Sequence, residues 1–421
     1  LNFSGENQAA AFAKVEELFG SENVFRAGTI IGIKDKTAYG YVLNYMEKHG
    51  IQASRAEVER LARGITGVKK TTGCHPGGMV IVPKDIDVHL FTPIQHPADK
   101  TEGGIVTTHF AFSSLHDRLL KLDILGHDNP TIIKRLYEFT GVDPITVPLN
   151  DEKVLSVFRE NTALGVDPEK YKSKTGAIGL PEFGTSFVRS MLEETQPTTV
   201  SELIRISGLS HGTDVWINNA QDLIRNDVAT LRECICCRDD IMIALIGMGV
   251  EPLMSFTIME RVRKGKGLSP EMEAAMVQNQ VPQWFIDSCK KIKYMFPKAH
   301  AAAYVTAALR IGYFKVYYPL AYYAAHFSVR AEELDAAPLV KGEEGIVNKM
   351  KELSQRPDVT TRFEKEYTHL EVAYEMVLRG YGFLAPDLYK SDATKFLPEG
   401  DNLRLPFTSV AGPGLSAAES I

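Results

Sequence analysis

Pro297 constrains this chain more than any other single residue. It stands inside Ser288-Cys-Lys-Lys-Ile-Lys-Tyr-Met-Phe-Pro-Lys-Ala-His-Ala-Ala-Ala-Tyr304, the densest mixture of cations and aromatic rings in the sequence. A proline breaks a helix interior but suits its first turn, so the pattern predicts one helix ending near Tyr294 and a second opening at Pro297. A helix N-terminus then falls in the middle of a basic cluster. Its free N–H groups around Lys298 and Ala299 would favour an anion, with Lys290, Lys291, Lys293 and His300 within reach. Tyr294, Phe296 and Tyr304 add flat faces on which a base can stack, so the stretch reads as a site for a nucleotide. The alternative is a solvated lysine-rich helix end with two rings in the core.

The chain is 421 residues long, enough for two to four domains. A net charge of −6 with 44% hydrophobic residues is that of a globular chain, and overall acidity does not exclude nucleic acid, which needs only a local basic surface. The five cysteines (74, 234, 236, 237 and 289) show neither a paired framework nor zinc-ribbon spacing, and read as reduced cytoplasmic thiols. The longest apolar run, 241–250, is too short to span a bilayer. The chain opens at Leu1 and stops at Ile421 in mid-pattern, which reads as a piece of something longer.

Residues 7–19 carry apolar positions at helical spacing closed by Gly20, and 24–33 reads as a strand-like turn region. A small helical unit follows over 35–67, with Ser54 as a cap. The segment 67–78 holds Lys69, Lys70, His75 and several glycines, which reads either as a phosphate-approaching loop or as a turn-rich connection. Short strands are expected at 79–83, 106–110 and 119–125. On the last, alternation puts Lys121 and Asp123 on one face, which suits either a metal and triphosphate site or a structural ion pair. Helices are expected over 131–139, 185–194, 200–207, 220–224 and 241–248, with a polar loop at 208–216 that either lines a site or turns a corner. The basic run Arg261-Val-Arg263-Lys264-Gly-Lys is close enough to the Pro297 cluster to extend one groove. Beyond a boundary candidate at 334–345, a helix is expected over 370–378. Gly412 and Gly414, flanking Pro413, suit a hairpin whose amides meet a DNA phosphate.

Five segments in this order, Leu1-Asn-Phe-Ser-Gly-Glu-Asn-Gln, Thr71-Thr-Gly-Cys-His-Pro-Gly-Gly, Lys121-Leu-Asp-Ile-Leu-Gly, Ser207-Gly-Leu-Ser-His-Gly-Thr-Asp-Val-Trp and the Pro297 stretch, together resemble the PolC-type DNA polymerase III alpha chains of low-GC Gram-positive bacteria. The resemblance implies an α+β, mainly helical fold: a polymerase-beta-like palm (1–29 and 73–145), an inserted helical thumb (30–72), helical fingers (146–335) and the start of a helix-hairpin-helix region (336–421). It implies template-directed DNA synthesis with two Mg²⁺ ions, and primer–template DNA, dNTPs, a sliding clamp and other replisome subunits as partners. The rivals are a non-catalytic DNA-binding module and a metal-dependent nuclease. Carried over by position, Asp123 matches the third metal-binding aspartate and Lys121 its basic neighbour. Arg238, Lys290, Lys293, Tyr294, Phe296, Lys298 and His300, with Ser210 and His211, fall in segments facing the dNTP. Lys69, Lys70, His75, Arg261, Arg263, Lys264, Gly412 and Gly414 are the candidates for DNA. In the family Leu1 follows a segment bearing the first two aspartates, so these 421 residues alone are expected not to extend a primer. Cys74 replaces a usual glutamine, and Pro413 replaces an apolar residue that has an N–H.

Overall fold

The computed structural model describes residues 1–99, 104–331, 334–356, 360–412 and 414–421. These fall into two compact units, Leu1–Thr131 and Ile132–Ile421.

The first unit is built on a five-stranded sheet in the order β4-β5-β2-β3-β6. Its strands are β2 (Val24–Gly32), β3 (Lys69–Ile81), β4 (Ile94–Gln95), β5 (Thr107–Thr108) and β6 (Leu120–Asp123), and a separate parallel pair joins β1 (Asn2–Ser4) to β7 (Leu125–His127). Helix α1 (Gln8–Phe19) precedes β2. Helices α2 (Asp35–Lys48) and α3 (Arg55–Ile65) are inserted between β2 and β3 and share a core of Ala38, Val42, Met46, Val58 and Ala62. Ser54 caps α3, accepting from Glu57 N at 3.3 Å.

Two readings change here. Residues 24–32 form a full strand, and all but the first two residues of the glycine-rich segment 67–78 belong to the 13-residue strand β3. Its glycines serve close approach rather than turning. A Cβ on Gly77 would lie 2.6 Å from the Ile124 carbonyl, and one on Gly78 would lie 2.9 Å from Ala27 Cβ. Pro76 is tolerated because the register slips beside it: Arg26 faces Met79, yet Gly28 faces Cys74, which leaves 75–78 as a bulge without regular pairing to β2.

The second unit is helical around one continuous core. Helix α4 (Asp128–Thr140) leads into it. There follow α5 (Glu152–Ser156), α6 (Ser186–Thr195), α7 (Val200–His211), α8 (Gln221–Arg225), α9 (Arg238–Gly247), α10 (Pro252–Val262), α11 (Pro270–Gln278) and α12 (Gln283–Lys291). At its centre runs α13 (Lys298–Tyr317), followed by α14 (Pro319–Arg330), α15 (Ala336–Leu339), α16 (Gly342–Ser354) and α17 (Thr361–Leu378). A small sheet of β8 (Gly382–Leu384), β9 (Leu397–Glu399) and β10 (Asn402–Arg404) and the five-residue helix α18 (Leu415–Glu419) complete it.

Helix α12 stops at Lys291, three residues short of the expected end, because Ile292 turns extended and Tyr294 bridges Thr213 instead. Phe296, directly before a proline, is likewise disfavoured from continuing a helix. The segment 208–216 is half helix, since α7 runs on through Ser210 and His211. The expected boundary at 334–345 is not a gap in packing: Leu334, Ala336, Leu339 and Ile346 all lie in the same core as α13 and α17. Pro413 lies outside the described residues, and Gly412 and Gly414 are exposed beside it.

Candidate functional site

In the first unit, β6 ends with Asp123 opposite Gly78, against the bulge. Alternation brings Lys121 Nζ to 3.1 Å from Asp123 Oδ1, and the same ammonium lies 5.1 Å from the centre of the Phe112 ring. Asp123 Oδ1 accepts no well-formed hydrogen bond, although the side chain is 44% exposed. It is an oriented anion with lone pairs to spare, which fits one place in a metal's ligand set. No cluster of three or more carboxylate, histidine or cysteine side chains suited to a metal occurs among the described residues.

His75, expected as a DNA contact, is engaged instead by the backbone of the bulge. Its Nδ1 accepts from the backbone N–H of Gly77 (3.2 Å) and Gly78 (2.8 Å). Burial, then the charge of Lys121, hold its pKa below the ordinary value, so the ring is neutral and its 4.0 Å approach to Asp123 is no ion pair. The cation that organises the bulge is Arg26, which sequence reading missed. It donates to the carbonyls of His75 (3.1 Å) and Pro76 (3.2 Å) and lies 4.0 Å from the centre of the Phe12 ring. Only the β2–β3 register could have revealed it. Lys69 and Lys70 are exposed at the far end of β3, about 17–20 Å along an extended strand from His75, so these three candidates do not converge.

In the second unit the rings of the Pro297 stretch assemble into one cluster. Phe296 and His300 stack with centroids 4.8 Å apart, Tyr294 meets Phe296 edge-on at 5.2 Å, and His300 lies 4.5 Å from Tyr304. His211, from the last turn of α7, packs edge-on against both Phe296 (5.5 Å) and His300 (5.8 Å). Backbone pairing holds the frame: Thr213 N donates to Tyr294 O (3.0 Å), Lys293 N to Thr213 O (3.0 Å) and Arg238 N to Phe296 O (3.1 Å). Tyr294 is 45% exposed, the geometry of a ring that offers a face. Ser210 lies beside His211, its hydroxyl donating to Ser207 O at 2.9 Å.

The cations are more constrained than the sequence implies. The N-terminus of α13 is not free for an external anion, because Lys298 N donates to Asp239 Oδ2 at 2.6 Å. Lys298 Nζ lies 3.5 Å from Asp240 Oδ1. Lys290 pairs with Glu273 at 2.8 Å, and Lys291 donates to Asn218 O at 2.8 Å. The side chains of Arg238 and Lys293 have no ion-pair partner among the described residues and remain the uncommitted charges beside the rings. In the basic run, Arg263 and Lys264 both bind Glu260, whose carboxyl they hold down to about 2, while Arg261 donates to Lys266 O at 3.2 Å. The run does border the cluster, since Met295 N donates to Arg263 O at 3.2 Å.

Comparison with known proteins identifies the kind of chain that carries these features. Residues 42–126 match the family model described as the bacterial DNA polymerase III alpha NTPase domain, and residues 129–283 match the bacterial DNA polymerase III alpha subunit finger domain. Over its whole length the chain is 55% identical to DNA polymerase III PolC-type of Thermotoga maritima, and 54% identical to the proteins of that name from Bacillus subtilis and Clostridium perfringens. It spans 29–31% of the length of these relatives. The chain belongs to the PolC-type DNA polymerase III alpha family. Among the described residues no helix is long and apolar enough to cross a membrane.

Proposed function

We propose that this chain is the palm-and-fingers portion of a cytoplasmic replicative polymerase that transfers nucleotides from dNTPs to a primer 3′-hydroxyl on a DNA template, working with a sliding clamp and other replisome subunits. The observation that carries the reading is the ring cluster of Tyr294, Phe296 and His300 beside the uncommitted Arg238 and Lys293, in a chain more than half identical to PolC-type relatives throughout. Stacking faces next to cations suit a base and a triphosphate. The inserted α2–α3 pair supports assigning 30–72 to the thumb, with 1–29 and 73–145 as palm and 146–335 as fingers. Exposed Lys69, Lys70 and Lys264, with the half-buried Arg261 and Arg263, would track the DNA backbone in a salt-dependent way.

Asp123 would hold one of two Mg²⁺ ions, together with further carboxylates. Bound metal in such enzymes activates the attacking hydroxyl and stabilises the leaving pyrophosphate. Lys121, 3.1 Å from Asp123 Oδ1, orients the carboxylate and adds positive charge where the phosphates gather.

Asp123→Asn in the full-length polymerase tests the assignment. The substitution preserves size and removes the charge, so kcat for primer extension should fall by about 10²–10³-fold or more while primer–template affinity is kept. Unchanged extension would exclude Asp123 from the metal set. The 421 residues alone should bind dNTP weakly and extend no primer; extension by them would overturn the same assignment.

A further inference from the structure

The geometry points to Glu182 as a positioning residue that pins His211 by a charged hydrogen bond and so fixes the Phe296–His300 stacking platform. The inference rests on the reading of that platform as the nucleotide site.

Glu182 lies in the segment before α6, with φ at +67°, a left-handed conformation that side chains other than glycine seldom adopt. The surrounding structure maintains that conformation, and it directs the carboxylate to His211 Nε2 at 2.5 Å. The other ring nitrogen, Nδ1, lies 2.7 Å from the Ser207 carbonyl one turn back in α7. Both nitrogens therefore face acceptors, and satisfying both requires the doubly protonated imidazolium. The hydrogen bond to Glu182 raises the His211 pKa against the opposing effect of burial. Burial would push the Glu182 carboxyl up, but the hydrogen bond and charge of His211, together with His300 and Arg330, hold it below the ordinary value. The other ionisable groups facing the pair are His300 from α13 and Arg330 from α14, both of which favour the carboxylate.

This arrangement leaves His211 no N–H for a phosphate, which alters the role expected of it. The ring acts as a wedge: anchored at both nitrogens, it presents its edge to Phe296 and His300. Loss of the proton breaks one anchor and frees the ring to rotate. Platform order, and with it dNTP binding, should then weaken as pH rises through the His211 pKa.

The test combines histidine-selective NMR titration of the chain with steady-state kinetics of the full-length polymerase. In the titration, Glu182→Gln should move the His211 transition to lower pH; an unmoved transition overturns the pin whatever the nucleotide does. In the kinetics, Glu182→Gln should raise the KM for dNTP by about ten-fold in the pH window between the His211 transitions of the variant and the wild type found in the titration, the worth of one charge-assisted hydrogen bond, and by little below both transitions. Saturated kcat should be nearly unchanged and Glu182→Asp should rescue KM. A KM increase equal at every pH would mean a merely structural role and overturn the proposal, as would a pH dependence that survives His211→Gln and so belongs to His300. Failure of the underlying reading is separately visible: Tyr294→Ala would then leave the dNTP KM unchanged.

Discussion

At the scale of single residues, Tyr294 is the sharpest probe of the cluster. Nearly half exposed and braced edge-on by Phe296, it can offer a face without disturbing the core. Tyr294→Ala in the full-length polymerase should weaken dNTP binding by about 1–3 kcal/mol and leave primer–template affinity intact. Parallel losses of both would instead mark a folding defect. The Glu182–His211 pair also makes a stability statement. The folded pKa of His211 lies above its ordinary 6.5, so its contribution is complete below 6.5 and is lost as pH rises through the folded value. That of Glu182 lies below 4.5, so its contribution is complete above 4.5 and is lost as pH falls through the folded value. The Tm difference between wild type and Glu182→Gln should accordingly be largest between pH 4.5 and 6.5 and shrink on either side; a difference independent of pH would contradict the ion pair. Strand alternation was enough to read Lys121 and Asp123 as neighbours from sequence. Glu182 was not legible, because nothing in local spacing shows which loop residue a fold will aim at a histidine 29 positions away.

At the scale of elements, Pro297 does open a helix, but what satisfies that helix is another helix's carboxylate. Asp239, in the first turn of α9, accepts from Lys298 N and ties the two N-termini together, and Arg238 N donates back to Phe296 O. Asp239→Ala should cost about 0.5–2 kcal/mol, as for loss of a helix cap, read as a fall in the denaturation midpoint at constant m. A larger anion-dependent recovery of stability with pyrophosphate would show the vacated N-terminus taking an external anion. Periodicity revealed most helices because a 3.6-residue repeat is local. It failed at β3, where glycines that signal turns in isolation are needed for strands to approach Ile124 and Ala27. It failed again past Lys291, where pairing with Thr213 overrides helical preference.

At the scale of the whole molecule, the C-terminal segment is bound to the helical core by a buried ionic hub. Lys315 of α13 is fully buried, its ammonium 2.8 Å from Glu375 Oε1 of α17 and donating to the carbonyls of Gly176 (2.7 Å) and Ile178 (2.5 Å). Glu375 also accepts from Tyr171 (2.5 Å) and Tyr323 (2.6 Å), while Arg379 donates to Lys315 O at 2.9 Å. Burial lowers the Lys315 pKa to about 8 against the pull of Glu375. Pro338, Gly342 and the surrounding charges read as a linker because composition reports solvent exposure near a turn, whereas Lys315 and Glu375 are 60 positions apart and their pairing exists only in the fold. Residues 336–421 are therefore not an appendage that can be studied by excision. Removing one partner of a buried pair costs about 3–5 kcal/mol, a large share of the roughly 5–15 kcal/mol that holds a domain together. Glu375→Ala should lower stability by that amount, and Lys315→Met with Glu375→Leu together should recover part of it. A chain ending at residue 335 loses Glu375, Arg379 and the apolar face of Leu370, Val372 and Met376 at once. It should lack cooperative unfolding of the second unit and show fast amide exchange along α13. Cooperative melting within a few degrees of the intact chain would mean that α13 holds the ring cluster without α17.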